Sequence, residues 1–177
     1  VHLSKDGGKT WQDVTPSSLP EGTRIDVIEL SPHDPNTAYI SATRYKFDDN
    51  RPFLLKTSDS GKSWTQITEG IPNNDFTRMI REDPERRGLL YAGTELGAYV
   101  SFDDGGRWQP LKLNLPAVLI SDLLVKNNDL VVATNGRSFW ILDDLAVVRQ
   151  ADDDMFEQRL HLFQPAATYR FTSAPVV

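Results

Sequence analysis

The sequence lacks cysteine altogether and holds only three histidines and two methionines among its 177 residues. Without cysteine, the chain can form neither a disulfide nor a thiolate metal site. The histidines, His2, His33 and His161, are scattered and do not follow the spacing of a metal-binding motif. We therefore predict no metal site, and no motif in the sequence predicts a cofactor.

Long apolar runs and a positive net charge are missing as well. Asp, Asn, Arg or Lys interrupts each hydrophobic stretch before it reaches the roughly 18 residues that a membrane-spanning helix needs. The 19 Lys and Arg residues against 25 Asp and Glu residues give a net charge of −6, which repels a phosphate backbone. We expect neither a membrane nor a nucleic acid as a partner.

The start of the chain and its composition bear on the compartment. The sequence opens at Val1 with neither a Met nor a signal-peptide pattern, and we interpret this start as a processing or excerpt boundary. The lack of cysteine suits a periplasmic or secreted protein, and it would equally suit a cytosolic one. Our prediction is a periplasmic or secreted protein.

The strongest positive signal is an internal repeat of the form Ser/Thr-x-Asp-x-Gly-x-x-Trp. It occurs at Ser4, Asp6, Gly8 and Trp11, at Thr57, Asp59, Gly61 and Trp64, and at Ser101, Asp103, Gly105 and Trp108. Successive tryptophans are 53 and 44 residues apart, and one four-stranded propeller blade uses about 40–50 residues. The repeat therefore predicts an all-β chain of β-propeller blades, each with four antiparallel strands.

The residue types of this box predict a turn between two strands. The Asp accepts hydrogen bonds from backbone N–H groups of the turn, and the Gly adopts a conformation that a Cβ would penalise. The Trp is expected to begin the next strand, and an apolar residue follows it three positions later, as Val14, Ile67 and Leu111. In the third copy, Arg107 replaces a hydroxyl residue, so one side-chain bond is expected to be missing there.

The similarity between the repeats extends beyond the boxes. The ranges 25–43, 77–94 and 121–134 each show an apolar strand, a polar turn and a second apolar strand. We predict the end of one blade at 1–20, blades with a box at 21–71 and 72–115, and a blade with a degenerate box at 116–150. In that last box Leu145 replaces the glycine. Residues 151–177 are predicted to be a tail or the start of a following segment, with possible strands at 160–163 and 168–171.

The boxes and their spacing resemble the Asp-box, or bacterial neuraminidase repeat, superfamily of β-propellers. The sequence from Leu89 to Leu145 is similar to the sortilin-like propellers of bacterial proteins labelled glycosyl hydrolase. The resemblance covers residues 1–150 and implies that the boxes lie on the outer rim, remote from the central ligand site. Because sialidases, xyloglucan hydrolases, sorting receptors and photosystem assembly factors share this fold, function has to be argued from the site.

The resemblance implies where a ligand site would lie. In a propeller, the starts of the innermost strands and the loops between the second and third strands meet at one face. On this basis the predicted ligand-binding residues are Arg24, Arg44, Tyr45, Arg78, Glu95, Asn135 and Arg137. Two alternatives stay open: the loop 44–51 is a surface loop with Tyr45 and Phe47 folded onto a neighbouring blade, or the arginines pair with acidic residues on neighbouring strands.

Two functions follow from these residues. The first is a non-catalytic segment that binds a peptide, protein or glycan at the axial face, or that scaffolds a larger extracytoplasmic protein. The second is part of a sialidase-like or xyloglucan-hydrolase-like glycosidase, which needs two carboxyl groups across a cleft. The candidate catalytic carboxylates are Asp26, Asp75, Glu95 and Asp122. Because propellers close with about 4–8 blades, we predict that other chains or a longer parent supply the remaining blades.

Overall fold

The structure is a computed structural model that describes residues 1–112, 114–151, 155 and 160–165. It begins with a two-stranded antiparallel ribbon of β1 (His2–Leu3) and β2 (Gln12–Asp13). The first four-stranded sheet then consists of β3 (Arg24–Leu30), β4 (Ala38–Arg44), β5 (Asp49–Thr57) and β6 (Thr65–Gln66), in that order. All neighbouring strands of this sheet are antiparallel.

The second and third sheets repeat this plan. The second consists of β7 (Thr77–Glu82), β8 (Leu90–Thr94), β9 (Ala98–Ser101) and β10 (Gln109–Pro110). The third consists of β11 (Ile120–Lys126), β12 (Asp129–Thr134) and β13 (Phe139–Leu142). The antiparallel four-stranded sheets confirm the predicted architecture, although the third sheet has only three strands within the described residues.

Several details of the strands differ from the prediction. The short last strands begin one residue after each box tryptophan and not at it. The predicted loop 44–51 is mostly regular, because a 3-10 turn at Tyr45–Phe47 leads directly into β5, which begins at Asp49. Residues 160–163 are not a strand, and 168–171 lie outside the described residues.

A short helix, α1 (Ala146–Gln150), follows the third sheet where the repeat predicts another strand. Arg86 donates to the carbonyls of Val148, Arg149 and Ala151, so the β7–β8 turn holds the C-terminal end of α1. The degenerate box therefore leads into a helix that the sequence did not predict. No helix of the described residues is long and apolar enough to cross a membrane.

The core lies between successive sheets, in three clusters. One joins the β1–β2 ribbon to the first sheet, one joins the first sheet to the second, and one joins the second sheet to the third. The second strands β4 and β8 are buried on both faces because a neighbouring layer covers each side. Small residues allow this close approach: a Cβ added at Gly93 would lie 2.6 Å from Ile120 of the next sheet.

The first strand of each sheet carries an irregularity at the same place. The pairing register shifts between Ile25 and Val27, between Thr77 and Met79, and between Ile120 and Asp122. Each shift leaves one residue, Asp26, Arg78 or Ser121, outside the regular pairing. Because a bulge re-aims the side chain of its extra residue, these three positions direct side chains differently from a regular strand.

The loops between second and third strands return to the starts of the first strands, as predicted. The backbone N–H of Glu95 donates to the carbonyl of Phe76 at 3.1 Å, and that of Asn135 donates to Leu119 at 2.9 Å. We call this edge of the sheets the strand-start end. The boxes lie at the opposite edge, the box end, where the N–H of Asp104 donates to Gly88 at 2.8 Å.

All three box turns form the predicted backbone bonds. The box aspartate accepts from the backbone N–H four residues later, and the box hydroxyl accepts from the N–H of the box glycine. The box glycines have φ values of +89° at Gly8, +79° at Gly61 and +86° at Gly105, where a side chain would be strained. The boxes therefore build turns. Arg107 contributes only its backbone N–H to Asp103, as the sequence predicts.

The second and third boxes also contact the layer before them. The indole of Trp64 donates to the carbonyl of Val14 at 2.8 Å, and that of Trp108 donates to the carbonyl of Ile67 at 2.7 Å. A Cβ added at Gly61 or Gly105 would lie 2.7 Å from the side chain of the same Val14 or Ile67. We call this pair of interactions the box contact. The Trp and the Gly of one box thus both contact the residue that lies three positions after the tryptophan of the previous box.

Candidate functional site

The strand-start end brings one arginine and two aromatic rings together across the first and second sheets. Tyr45, from the turn after β4, stacks on Phe76, with ring centroids 5.1 Å apart and an interplanar angle of 13°. The guanidinium carbon of Arg78 lies 5.0 Å from the Tyr45 ring centroid and 4.8 Å from that of Phe76. Such cation–π contacts restrict the orientation of the guanidinium. Tyr45 therefore folds onto the neighbouring blade, as one of the alternatives predicted.

Arg78 has a single ionic partner within the described residues. Its Nη2 lies 3.4 Å from Glu95 Oε2, and their side chains are 21% and 38% exposed. Its Nε is buried and makes no hydrogen bond to any described residue. Within the described residues, the guanidinium is therefore held by aromatic packing and one long ion pair, and its buried Nε has no hydrogen-bond acceptor.

The equivalent position of the first sheet carries the opposite charge. Asp26, the extra residue of β3, lies 2.9 Å from Arg24 Nε and accepts a hydrogen bond from Thr43 at 2.8 Å. Arg24 is mostly exposed and Asp26 is largely covered. Arg24 therefore pairs with an acid of its own strand, whereas the second alternative placed the acid on a neighbouring strand.

Arg44 and the residues after it form a separate group beside this cluster. Arg44 Nε lies 3.4 Å from Asp49, which also binds Arg51, and Arg44 donates to the carbonyl of Glu21. These bonds lower the pKa of Asp49 to about 2, chiefly through the Arg51 side chain. Phe47 is 60% exposed beneath the Arg44 guanidinium. Phe47 is the aromatic residue of this group that remains open to solvent.

Asp75 is buried. The sequence had predicted instead that its carboxylate would be open to a ligand. It accepts hydrogen bonds from the N–H of Leu96 at 3.0 Å and from the hydroxyl of Tyr99 at 3.0 Å. Burial, with the adjacent Asp75 charge, raises the pKa of Tyr99 to about 12. Asp75 therefore positions the β8–β9 loop. It also lines a cavity of about 330 Å³ beside Pro72.

Asp122 is bound by Arg81, an arginine that sequence reasoning did not single out. Arg81 reaches across to Asp122 at 3.0 Å, to Glu29 at 3.4 Å and to the carbonyl of Leu123 at 2.9 Å. Burial raises the pKa of Glu29, and the charge of Arg81 opposes that rise. Arg81 and Glu29 line an open groove of about 600 Å³, whose apolar wall includes Ile28 and Leu124.

Asn135 and Arg137 lie in the exposed β12–β13 loop at the strand-start end. The side chain of Arg137 has no ionic partner within the described residues. Its backbone carbonyl accepts from the Trp140 indole at 2.9 Å. The structure thus joins Arg78, Glu95 and Tyr45 in one cluster, whereas Arg24, Arg44 and Asp122 belong to separate ion pairs.

Sequence reasoning missed Phe76, Arg81 and Thr43, each of which binds or stacks on a predicted residue. Phe76 had a signal that could have found it, because it directly precedes the strand start at Thr77. Arg81 had none, since it lies within β7 and only the tertiary structure brings it to Asp122.

Comparison with known proteins bears on the fold of this chain. No protein-family model matches it. A GH74 xyloglucanase from Xanthomonas campestris superposes with a TM-score of 0.62 at 21% identity, over 81% of this chain and 24% of the other. YCF48 bound to D1 peptide superposes with a TM-score of 0.55 at 22% identity, over 80% of this chain and 44% of the other.

The chain is part of a β-propeller. Sequence comparison agrees: xyloglucanase Xgh74A of Acetivibrio thermocellus is 28% identical over 98 residues, 50% of this chain. Vacuolar protein sorting/targeting protein 10 of Chaetomium globosum is 28% identical over 119 residues, 63% of this chain. The chain spans only 12% and 7% of the lengths of these relatives. These similarities support the propeller fold and do not extend to an activity.

Proposed function

We propose that this propeller segment is non-catalytic and binds a peptide, protein or glycan at the strand-start end. The observation that carries the proposal is the position of Arg78. Its guanidinium is held against Tyr45 and Phe76 and makes one long ion pair, to Glu95, within the described residues. A guanidinium recognises a carboxylate through two parallel hydrogen bonds. An acidic side chain or chain terminus of a peptide is therefore the ligand that this cluster fits best.

Two further features support a binding role. Phe47, exposed beside the cluster, offers an apolar surface on which a peptide side chain or a sugar ring would pack. Among the propellers similar in structure, YCF48 is bound to a peptide.

The proposal also includes a periplasmic or secreted location for the protein. It places the domain boundaries at residues 20, 71, 115 and 150. The wider relationship that we propose is to the Asp-box superfamily.

The alternative function is a part of a glycoside hydrolase, which the similarity to xyloglucanases favours. A glycosidase needs one carboxyl as an acid and a second as a base or nucleophile. Each candidate carboxylate here already has an internal partner: Arg24 for Asp26, Tyr99 for Asp75, Arg78 for Glu95 and Arg81 for Asp122. This geometry favours binding over catalysis.

Binding to immobilised peptides tests the proposal. The probes are ten-residue peptides with acidic residues and a free carboxyl terminus, the same peptides with amidated termini and acids replaced by amides, and a xyloglucan oligosaccharide. Because hydrogen bonds to charged groups contribute about 1.5–3 kcal/mol, Arg78→Met should weaken binding of the acidic peptides by roughly 10–100-fold. Arg107→Met removes the same charge at the box end and is the matched control.

The outcomes separate the two functions. Equal binding by Arg78→Met and Arg107→Met, or equal binding of acidic and amide peptides, would contradict a carboxylate site at Arg78. Release of reducing sugar from xyloglucan, abolished by Glu95→Gln and unaffected by Arg107→Met, would support the hydrolase instead.

A further inference from the structure

Asp75 is a buried carboxylate without a cationic partner. It is 1% exposed, and it forms no ion pair with any of the described residues. The carboxylate of Asp83 is buried to the same degree but pairs with Arg149 at 3.0 Å. Burying an ionised carboxylate without an opposite charge costs free energy, because water no longer solvates it. The described part of the chain therefore leaves the charge of Asp75 uncompensated.

Although little of Asp75 reaches solvent, it forms part of the wall of the cavity of about 330 Å³. Its two side-chain hydrogen bonds come from the N–H of Leu96 and the hydroxyl of Tyr99, and both of these residues line the same cavity. Each carboxylate oxygen accepts one of the two bonds, so each keeps a lone pair for a further donor. A cation that enters the cavity thus meets a carboxylate held in a fixed orientation.

The other walls of the cavity suit an alkyl chain. Pro72, Pro110 and Pro116 line it, together with Leu96, which is 52% exposed. Its volume lies near the lower end of the range of ligand sites, about 300–1,000 Å³, so it fits a small molecule or a single side chain. All its lining residues belong to the second sheet or to the segments directly before and after it. The cavity therefore does not depend on any other blade.

We propose that this cavity binds an alkylammonium group, whose charge pairs with Asp75 and whose methylene chain packs on the prolines. An ammonium is a compact point charge, whereas a guanidinium fork needs two adjacent acceptor atoms. Because each oxygen of Asp75 already accepts one bond, the ammonium fits this carboxylate better. A free amine and a lysine side chain both carry such a group. The ligand is a cation, so the proposal does not depend on the carboxylate site at Arg78.

Lys112 is the residue of this chain that competes with an external ammonium. It lines the cavity, but its side chain is exposed and forms no ion pair within the described residues. We expect Lys112→Met to leave the melting temperature unchanged and to strengthen binding of an amine, because it removes a like charge from the cavity.

NMR titration with n-pentylamine, which is charged at neutral pH, and with 1-pentanol, its neutral counterpart, tests the proposal. The amine should shift the backbone N–H resonances of Leu96 and Gly97, and the alcohol at the same concentration should not. Asp75→Asn keeps an acceptor for Leu96 and Tyr99 but removes the charge, so it should weaken amine binding by roughly 10–100-fold. Glu82→Gln removes another buried carboxylate, outside this cavity, and is the matched control.

A second variant keeps the test valid if Asp75→Asn disturbs the β8–β9 loop. Ala117 lines the cavity from an exposed position, so Ala117→Trp should fill its mouth without disturbing the core. We expect this variant to lose amine binding and to keep the melting temperature of the unmodified chain. Unchanged amine binding by Ala117→Trp would place the amine outside the cavity and would overturn the proposal.

Three further results would also overturn it. The first is equal shifts with the amine and the alcohol, and the second is equal amine affinity of Asp75→Asn and Glu82→Gln. The third is an equal loss of melting temperature in Lys112→Met and Asp75→Asn, because Lys112 would then be the cation at this site.

A blocked glycyl-lysyl-glycine peptide, with its norleucine counterpart as the neutral control, distinguishes the two sources of the ammonium. Tighter binding of the lysine peptide than of pentylamine would assign the site to a lysine side chain of a partner. Equal or weaker binding would assign it to a free amine.

Discussion

Arg149 Nε lies 3.0 Å from both carboxylate oxygens of Asp83, although 66 positions separate the two residues in sequence. Their side chains are 9% and 0% exposed, so the ion pair is buried. Asp83 also accepts the backbone N–H groups of Glu85 and Arg86 in the turn between β7 and β8. This one carboxylate therefore shapes a turn of the second sheet and anchors α1 beside it.

We predict that Arg149→Met destabilises the chain strongly. Removing one partner of a buried ion pair costs about 3–5 kcal/mol, because the remaining charge is left without compensation. Urea denaturation measures the free energy of unfolding. Arg137→Met removes the same charge from an exposed loop, and surface substitutions of this kind change stability by about 0.5 kcal/mol or less. Equal transition midpoints for the two variants would contradict the structural role of the pair.

The box tryptophans should differ in their contribution to stability according to what they contact. Trp108 is buried and bonded to Ile67, so Trp108→Ala should cost about 3–5 kcal/mol, as large core truncations do. Trp64 is half-buried, and Trp64→Ala should cost less while still losing the bond to Val14. Calorimetry on both variants measures the two losses of stability. An equal or larger loss from Trp64→Ala than from Trp108→Ala would contradict the prediction.

The box glycines provide a matched pair for the packing between sheets. Gly8 and Gly105 have nearly the same φ, +89° and +86°, so an alanine brings similar backbone strain at both, about 1–2 kcal/mol. Only at Gly105 would the new Cβ also press on Ile67, at 2.7 Å. Gly105→Ala should therefore cost about 1–3 kcal/mol more than Gly8→Ala, as overpacking does. Chemical denaturation measures the loss in free energy of unfolding for each variant. Equal losses would show that the box contact does not contribute to stability.

The first two boxes should contribute to acid sensitivity. Hydrogen bonds from Thr10 lower the pKa of Asp6 from 3.8 to about 2, and those from Ser63 do the same for Asp59. Because these pKa values lie below the unfolded value, the stabilisation is fully present above pH 3.8 and is lost as the pH falls through 2.

Carbon-detected NMR titration of the two carboxyl groups measures these pKa values directly. Ser63→Ala removes the hydroxyl bond to Asp59 and should raise the pKa of Asp59 while leaving that of Asp6 unchanged. An Asp59 pKa of 3.8 in the unmodified chain would contradict the prediction.

The turns and strands of this fold could be predicted because their causes are local. The Asp and Gly of a box act within eight residues, and the polar turns interrupt apolar strands at a regular spacing. The site was only partly predictable. Tyr45 and Phe76 meet because the turn after β4 crosses to the next sheet, and Arg81 reaches Asp122 on another strand. No spacing in the sequence predicts these tertiary contacts.

Helix α1 was missed for a related reason. Its five residues include two β-branched valines, Val147 and Val148, which have low helix propensity. The helix is stabilised from outside, by Arg86 at its C-terminal carbonyls and by the Arg149–Asp83 pair. Local propensity therefore predicts no helix, and the tertiary bonds determine one.

The irregularity shared by β3, β7 and β11 gives the propeller a way to diversify. The same backbone position carries an acid in Asp26, a base in Arg78 and a small alcohol in Ser121. Because this residue stands outside the regular strand pairing, its identity can change while the hydrogen-bond ladder on either side is kept. Each of the three sheets thus offers, at the strand-start end, one position whose residue can change while the strand pairing on either side is kept.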